Sequence, residues 1–250
     1  MKNRAAEGVV GGRRVVLEAV RSGRAVEVLI APGPRATPGL RDLLDACQEA
    51  GMEPREVPRA ELERLAPGNH GVAARIRAPE PIGERALASW PFRDRDVVVA
   101  LDGIVDPHNL GAAARSAEAA GVVMVITRLR RAADVTPAAV AASAGALLHL
   151  PRARVANIPR ALMRLREAGF TVVGLDERAE HTVYEESCPD GRLALAIGSE
   201  GSGLARLTRE ACDLLVRLPM RGHVGSLNAS ASLAAALYGF VLRSRAGSQA

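Results

Sequence analysis

From residue 96 onward the chain sets short apolar runs between longer segments with helical spacing: VVVAL (97–101), VVMVI (122–126), TVVGL (171–175), LALAI (193–197) and LLVRL (214–218). Runs of five residues are too short for buried helices, and they lack the polar alternation of a strand with one wet face. A strand that is apolar on both sides is covered by helices on both sides, which is the setting of a parallel sheet joined by crossover helices. Residues 107–120, 137–146, 158–168, 204–211 and 226–243 supply those helices. The predicted architecture is therefore α/β with a mostly parallel sheet.

The first third reads as a smaller α/β unit, with a helix over 13–21, a strand over 26–30, helices over 39–50 and 59–65, and a strand over 72–76. Residues 79–95 carry three prolines and no sustained period, so they are read as a linker between domains at 1–78 and 96–250. No apolar run reaches the length of a membrane span and the start lacks a signal-peptide pattern, so a soluble cytoplasmic protein is expected, with no membrane partner. The cysteines, Cys47, Cys188 and Cys212, are far apart, and neither a disulfide framework nor a metal site is expected from them.

The net charge is +5, and Lys2 is the only lysine among 33 basic residues. Arginine favours phosphate contacts, which suits an RNA partner, but a genome biased toward Ala, Arg and Gly codons would leave the same excess. Residues 1–78 hold 13 basic against 10 acidic side chains, a weak lean of the charge toward the smaller unit. With one Trp, two Tyr and three Phe, contact with RNA is expected through phosphates rather than base stacking.

In open α/β sheets ligands lie beyond the carboxyl ends of the strands, and three loops there carry unusual clusters. In LDGIVDPHNLGAAARSAEAAG (101–121), Asp106 and Pro107 are helix-start signals, Asn109 falls in the first turn, and Arg115 either pairs with Glu118 on the surface or serves the site. In AIGSEGSGL (196–204), the glycines permit close backbone approach to a ligand, while Glu200 would repel a phosphate and suits a cationic or hydroxyl-bearing one. The loop has neither a dinucleotide fingerprint nor the lysine of a phosphate-binding loop. In LPMRGHVGSLNASAS (218–232), Ser226 reads as an N-cap and Asn228 as a first-turn residue, or both face the same crevice. No nucleophile elbow or Cys–His pair is present, so hydrolase readings fall away.

At these three clusters, in the order DPHNLGAAARSAEAAG, IGSEGSGL and LPMRGHVGSLNASAS, the sequence closely resembles the SPOUT methyltransferases of the SpoU branch, which methylate ribose 2′-hydroxyls in RNA. The opening GRRVVLEAVRSG and HGVAARI resemble the small substrate-binding domain that precedes the catalytic domain in ribosomal-RNA members. The layout is most similar to enzymes acting on a guanosine ribose of 23S rRNA. The resemblance implies an α/β-knot catalytic domain with a deep trefoil knot, a homodimer, S-adenosyl-L-methionine as cofactor and RNA, not DNA, as partner. It implies a cofactor site at Ile197, Gly198, Gly203, Leu218, Met220 and Leu227, and a reaction site of Asn109, Arg115, Glu200, Ser226 and Asn228. In SAGALLHLP (143–151), Leu148 stands where relatives often carry Glu, so a contact through that carboxylate is not expected.

A ribose hydroxyl is a poor nucleophile until its proton is lost, whereas a sulfonium methyl is already activated. The protein has to align the two and stabilise developing alkoxide. Arginine stays protonated, so Arg115 is read as orienting phosphate or stabilising the oxyanion, with Asn109, Ser226, Asn228 and Glu200 as supports. The alternatives are a tRNA ribose methyltransferase, a ribosomal antibiotic-resistance methyltransferase, and a non-catalytic RNA-binding module.

Overall fold

The computed structural model describes residues 7–33, 37–223 and 225–247. The chain divides into two compact units: Met1–Glu80 with Asp134–His149, and Pro81–Ala133 with Leu150–Ala250.

The first unit is built on β1 (Glu7–Gly11), α1 (Arg13–Arg21), β2 (Ala25–Ile30), α2 (Pro38–Glu49), β3 (Arg55–Glu56), α3 (Arg59–Leu65) and β4 (Val72–Arg77). Its sheet has the order β1-β4-β2-β3, antiparallel except for the β2–β3 pair. Strand β1 was not foreseen, because EGVVG is too short and glycine-rich to register as a strand by composition. Leu29, Ala31, Val57, Leu62 and Ala73 form a closed core beneath α3. Further along β2, Glu27 accepts from Arg55 Nε at 2.7 Å and from Arg75 Nε at 2.9 Å, linking three strands.

The second unit begins with β5 (Ile82–Gly83) and α4 (Glu84–Ala88), inside the stretch read as a linker, and continues with β6 (Val97–Asp102), α5 (Pro107–Ala119) and β7 (Met124–Arg128). Residues 134–149, read as part of the catalytic stretch, pack with the first unit instead. They hold α6 (Pro137–Ala142) and a short 3-10 turn at Ala146–Leu148. The helix expected over 137–146 ends early because Ala144 and Gly145 adopt positive φ. Leu148 is buried there, and its neighbour His149 meets Glu18 of α1 at 3.0 Å.

The chain then forms β8 (Arg152–Val155), α7 (Ile158–Glu167), β9 (Phe170–Leu175), β10 (Arg192–Gly198), α8 (Arg206–Glu210) and β11 (Leu214–Val216). It ends in α9 (Ala229–Ala236), a π-helical stretch (Leu237–Leu242) and α10 (Arg243–Gly247). The sheet order is β11-β9-β10-β6-β7-β8-β5, and every pairing is parallel. Strand β8 escaped the sequence reading because RARV places arginines where an apolar run was sought.

Local chemistry explains the helix bounds. Asp106 accepts from the backbone N–H of His108 and Asn109 ahead of Pro107, and Asn157 from that of Arg160, so each helix start combines a cap with an early proline. Gly121 (φ +76°) and Gly169 (φ +85°) carry the chain away from α5 and α7 in the left-handed conformation. The core between sheet and helices is drawn from Val98, Ala100, Met124, Ile126, Val172 and Ala194 on the strands and Ile158, Leu162 and Leu165 on α7. Among the described residues no helix is long and apolar enough to cross a membrane.

The Glu27 cluster has a pH signature. Hydrogen bonding from Arg55 holds the Glu27 carboxyl below its ordinary value of 4.5, against a smaller opposing effect of burial and with further help from Arg75. A carboxyl whose pKa is lower in the folded chain favours folding above its unfolded value and loses that contribution as pH falls through the folded one. Urea unfolding across pH should therefore show wild type more stable than Glu27→Gln at pH 7, with the difference shrinking as pH falls from the ordinary value of 4.5 through the lowered folded one.

Candidate active site

The carboxyl ends of β9, β10 and β11 surround a cavity of 310 Å³. Its position follows from the strand order. The chain runs outward from β6 through β7 to β8, then reverses to the other side for β9 and β10, so the crevice opens beside the reversal. Ile197, Gly198, Gly203, Leu218, Met220 and Leu227 all line it, as do Glu200 and Ser226. Met220 and Leu227 are 38% and 45% exposed, an apolar lip open to a ligand.

The loop after β10 turns back on its own strand. Ser199 and Gly203 pair across it, with Gly203 N–H donating to the Ser199 carbonyl at 3.0 Å. A Cβ on Gly198 would lie 2.0 Å from the Gly203 carbonyl carbon, so only glycine permits this closure. Gly201 (φ +80°) and Gly203 (φ +62°) make the turn itself.

At the rim, three side chains from separate loops are joined. Asn109 Nδ2 donates to Glu200 Oε1 at 3.3 Å, and Asn228 Nδ2 donates to Asn109 Oδ1 at 2.9 Å and to Glu200 Oε1. Asn228 also caps α9: its Oδ1 accepts from Ser230 N–H at 2.8 Å and Ser230 Oγ at 2.6 Å. The helix expected from 226 thus starts at Ala229, and the N-cap is Asn228 rather than Ser226. Ser226 is left on the cavity wall.

Arg115 stands apart from this cluster. Six residues beyond Asn109 on α5, it lies about 9 Å further along the axis and about 120° around it. It is exposed, and among the described residues it has no hydrogen bond or ion pair, so the surface pair with Glu118 is not formed.

Two supporting carboxylates were missed. Asp102 ends β6 with its side chain 1% exposed, takes a 2.5 Å hydrogen bond from Thr208 Oγ1, and lies 2.6 Å from Arg128 Nη2. The Arg128 contact has the distance of an ion pair without hydrogen-bond alignment, since Asp102 Oδ1 has no hydrogen-bond partner. Asp176 follows β9, is 2% exposed, and accepts from Arg209 Nε at 2.7 Å and Arg178 N–H at 2.9 Å. The available signal was the pattern VALD and VGLD, which puts an aspartate directly after two apolar runs. Burial pushes the thiols of Cys188 and Cys212 up to about 11 and about 12, which keeps both protonated and unsuited to nucleophilic work at neutral pH.

This geometry fixes two expected outcomes. Gly198→Ala should cost about 2 kcal/mol or more, because the clash is with backbone and no side chain can move aside. Asp102→Asn should cost about 1–3 kcal/mol by weakening buried bonds to Thr208 and Arg128. Denaturant unfolding checks both, and wild-type midpoints in either variant would contradict the account.

Known proteins place the chain. Residues 96–238 match the SpoU rRNA Methylase family, and residues 9–82 match the family described as RNA 2′-O ribose methyltransferase substrate binding. The chain is 38% identical to the 23S rRNA (guanosine-2′-O-)-methyltransferase RlmB of Salmonella typhimurium, covering 86% of this chain and 89% of that one. It is 37% identical to a TrmH family tRNA/rRNA methyltransferase of Staphylococcus haemolyticus, over 92% and 93% of the two chains. The SpoU methyltransferase AviRb of Streptomyces viridochromogenes, solved with AdoMet, superposes with a TM-score of 0.76 at 29% identity, over 95% of this chain and 90% of that one. The chain is a member of the SpoU rRNA methylase family, with a substrate-binding module ahead of its methylase module.

Proposed function

We propose that the protein transfers a methyl group from S-adenosyl-L-methionine to a ribose 2′-hydroxyl of RNA, with a guanosine of 23S rRNA as the target. The observation that carries this reading is the glycine-walled cavity at the strand ends with Asn109, Glu200 and Asn228 joined at its rim. The cavity fits the cofactor in kind: apolar Ile197, Leu218, Met220 and Leu227 suit the adenine, and the backbone around Gly198 and Gly203 can approach it closely. Likeness to RlmB supports the ribosomal target, and likeness to AviRb with AdoMet supports the cofactor.

When bound, the cofactor supplies a methyl group already activated by its sulfonium. The chain's own residues then have to hold the ribose hydroxyl in line and stabilise negative charge on its oxygen. Asn109 and Asn228 fix Glu200 at the rim, and Ser226 presents a hydroxyl to the cavity. Arg115, exposed and unengaged, is available to a substrate phosphate or to the developing alkoxide. The first 78 residues bind RNA in this reading. A C-terminal knot, a homodimer and a cytoplasmic location belong to it as well. The small residues that α9 leaves exposed or half-buried, Ser230, Ala231, Ser232, Ala234 and Ala235, permit close approach of a second subunit.

Mapping 2′-O-methyl sites in RNA from cells with and without the gene tests the target, and a missing mark in tRNA alone would redirect it. Arg115→Ala should unfold within about 1 kcal/mol of wild type, having lost no internal partner, and should methylate on the order of 100-fold more slowly. Arg115→Lys keeps the charge and removes the planar fork. Wild-type turnover in the Ala variant would remove Arg115 from the mechanism.

A further inference from the structure

The cavity has a charge pattern opposite to that of the chain around it. The protein carries net +5, yet no arginine or lysine is among the described residues that line the cavity, whereas Asp176, Glu177 and Glu200 are. These three carboxylates differ in how they are compensated. Asp176 is buried against the Arg209 guanidinium at 2.7 Å, so its charge is neutralised locally. Glu200 is held by the amides of Asn109 and Asn228, which orient it without cancelling its charge. Glu177 is exposed and, among the described residues, has neither a hydrogen bond nor an ion pair. Two negative charges therefore face the cavity uncompensated, and Glu177 is the one that no structural contact explains.

Such a wall repels phosphates and attracts cations. S-adenosyl-L-methionine carries a positive sulfonium, and S-adenosylhomocysteine, the product, has lost that charge with the methyl group. Resting on the reading of this cavity as the cofactor site, we infer that Glu177 makes the cavity select its ligand by charge, holding the sulfonium cofactor more tightly than the neutral thioether product. The carboxylate acts over distance and needs no contact with the sulfonium. A unit charge several ångströms away in a half-exposed cavity is worth on the order of tenfold in affinity. That bias favours exchange of spent for fresh cofactor after each turnover.

The test is calorimetric binding of three ligands to the full chain without RNA: S-adenosyl-L-methionine, S-adenosylhomocysteine, and sinefungin, in which an ammonium group replaces the methylsulfonium. Glu177→Gln should weaken the two cations on the order of tenfold and change the thioether by less than about twofold, and Glu177→Lys should extend the trend. The gap between cations and thioether should narrow with added salt. Glu180→Gln makes the same change in net charge at an exposed position outside the cavity lining and should leave the affinity ratios as in wild type. Equal losses for all three ligands would mean that Glu177 makes an ordinary contact to the shared adenosyl or amino-acid portion, which overturns the inference and leaves the cofactor reading standing. Unchanged affinities would overturn it as well. Failure of wild type to bind any of the three would remove the cofactor reading itself, and the inference with it.

Discussion

Asp102 ends β6 and Asp176 follows β9, two strands that lie on either side of β10, and both aspartates reach the same five-residue helix, α8, through the adjacent Thr208 and Arg209. A helix so short has little stability of its own. Its place comes from these side chains, and because α8 directly follows the glycine loop, they also set where that loop ends. Burying two carboxylates is costly unless each keeps its partners, so the arrangement resists partial loosening. Arg209 adds a bond from Nη2 to the Leu204 carbonyl, tying the same guanidinium to the end of the loop. Loop, cavity wall and strand ends thus share one set of anchors.

The arginine excess acquires a second meaning in this light. Arg192 donates to the carbonyls of Phe92, Arg93 and Ala168, Arg245 to those of Arg95 and Gly191, and Arg217 to that of Ala179. The planar fork suits this task, because one side chain can satisfy several carbonyls left open at strand and helix ends. Arg55 and Arg75 are engaged by Glu27 within the first unit. Much of the positive charge is therefore committed to internal architecture, and a count of arginines overstates what is available to RNA.

The apolar runs at 97–101, 171–175 and 193–197 were legible as strands because burial on both faces leaves a compositional mark, and α1 and α3 coincide with the ranges expected from their spacing. What escaped was structure whose residues serve two purposes. In β8, Arg152 and Arg154 sit in a strand while their heads reach carbonyls of Ala133 and Leu129. At the site, the glycine loop and its carboxylate were visible as a pattern, but the junction of Asn109, Glu200 and Asn228 depends on three loops meeting in space. Asp102 and Asp176 were passed over because an aspartate after a strand is most often a solvated turn residue. Segment 134–149 joins the first unit through packing between residues distant in sequence, which periodicity does not record.

The strand order also dictates a schedule for the ribosome. β6, β7 and β8 pair with one another in the order of their synthesis, so that half of the sheet can assemble as it emerges. β9 cannot follow suit. Its neighbours in the sheet are β10 and β11, and both lie further along the chain. The apolar FTVVGL segment therefore waits with both edges unpaired until residue 198 has been made, and β10 must then enter between two strands already present. Late insertion of a central strand raises the sequence separation of native contacts and lengthens the time for which a sticky edge is exposed. Nascent-chain protection over 170–198 is thus a demand made by the topology that also creates the ligand crevice.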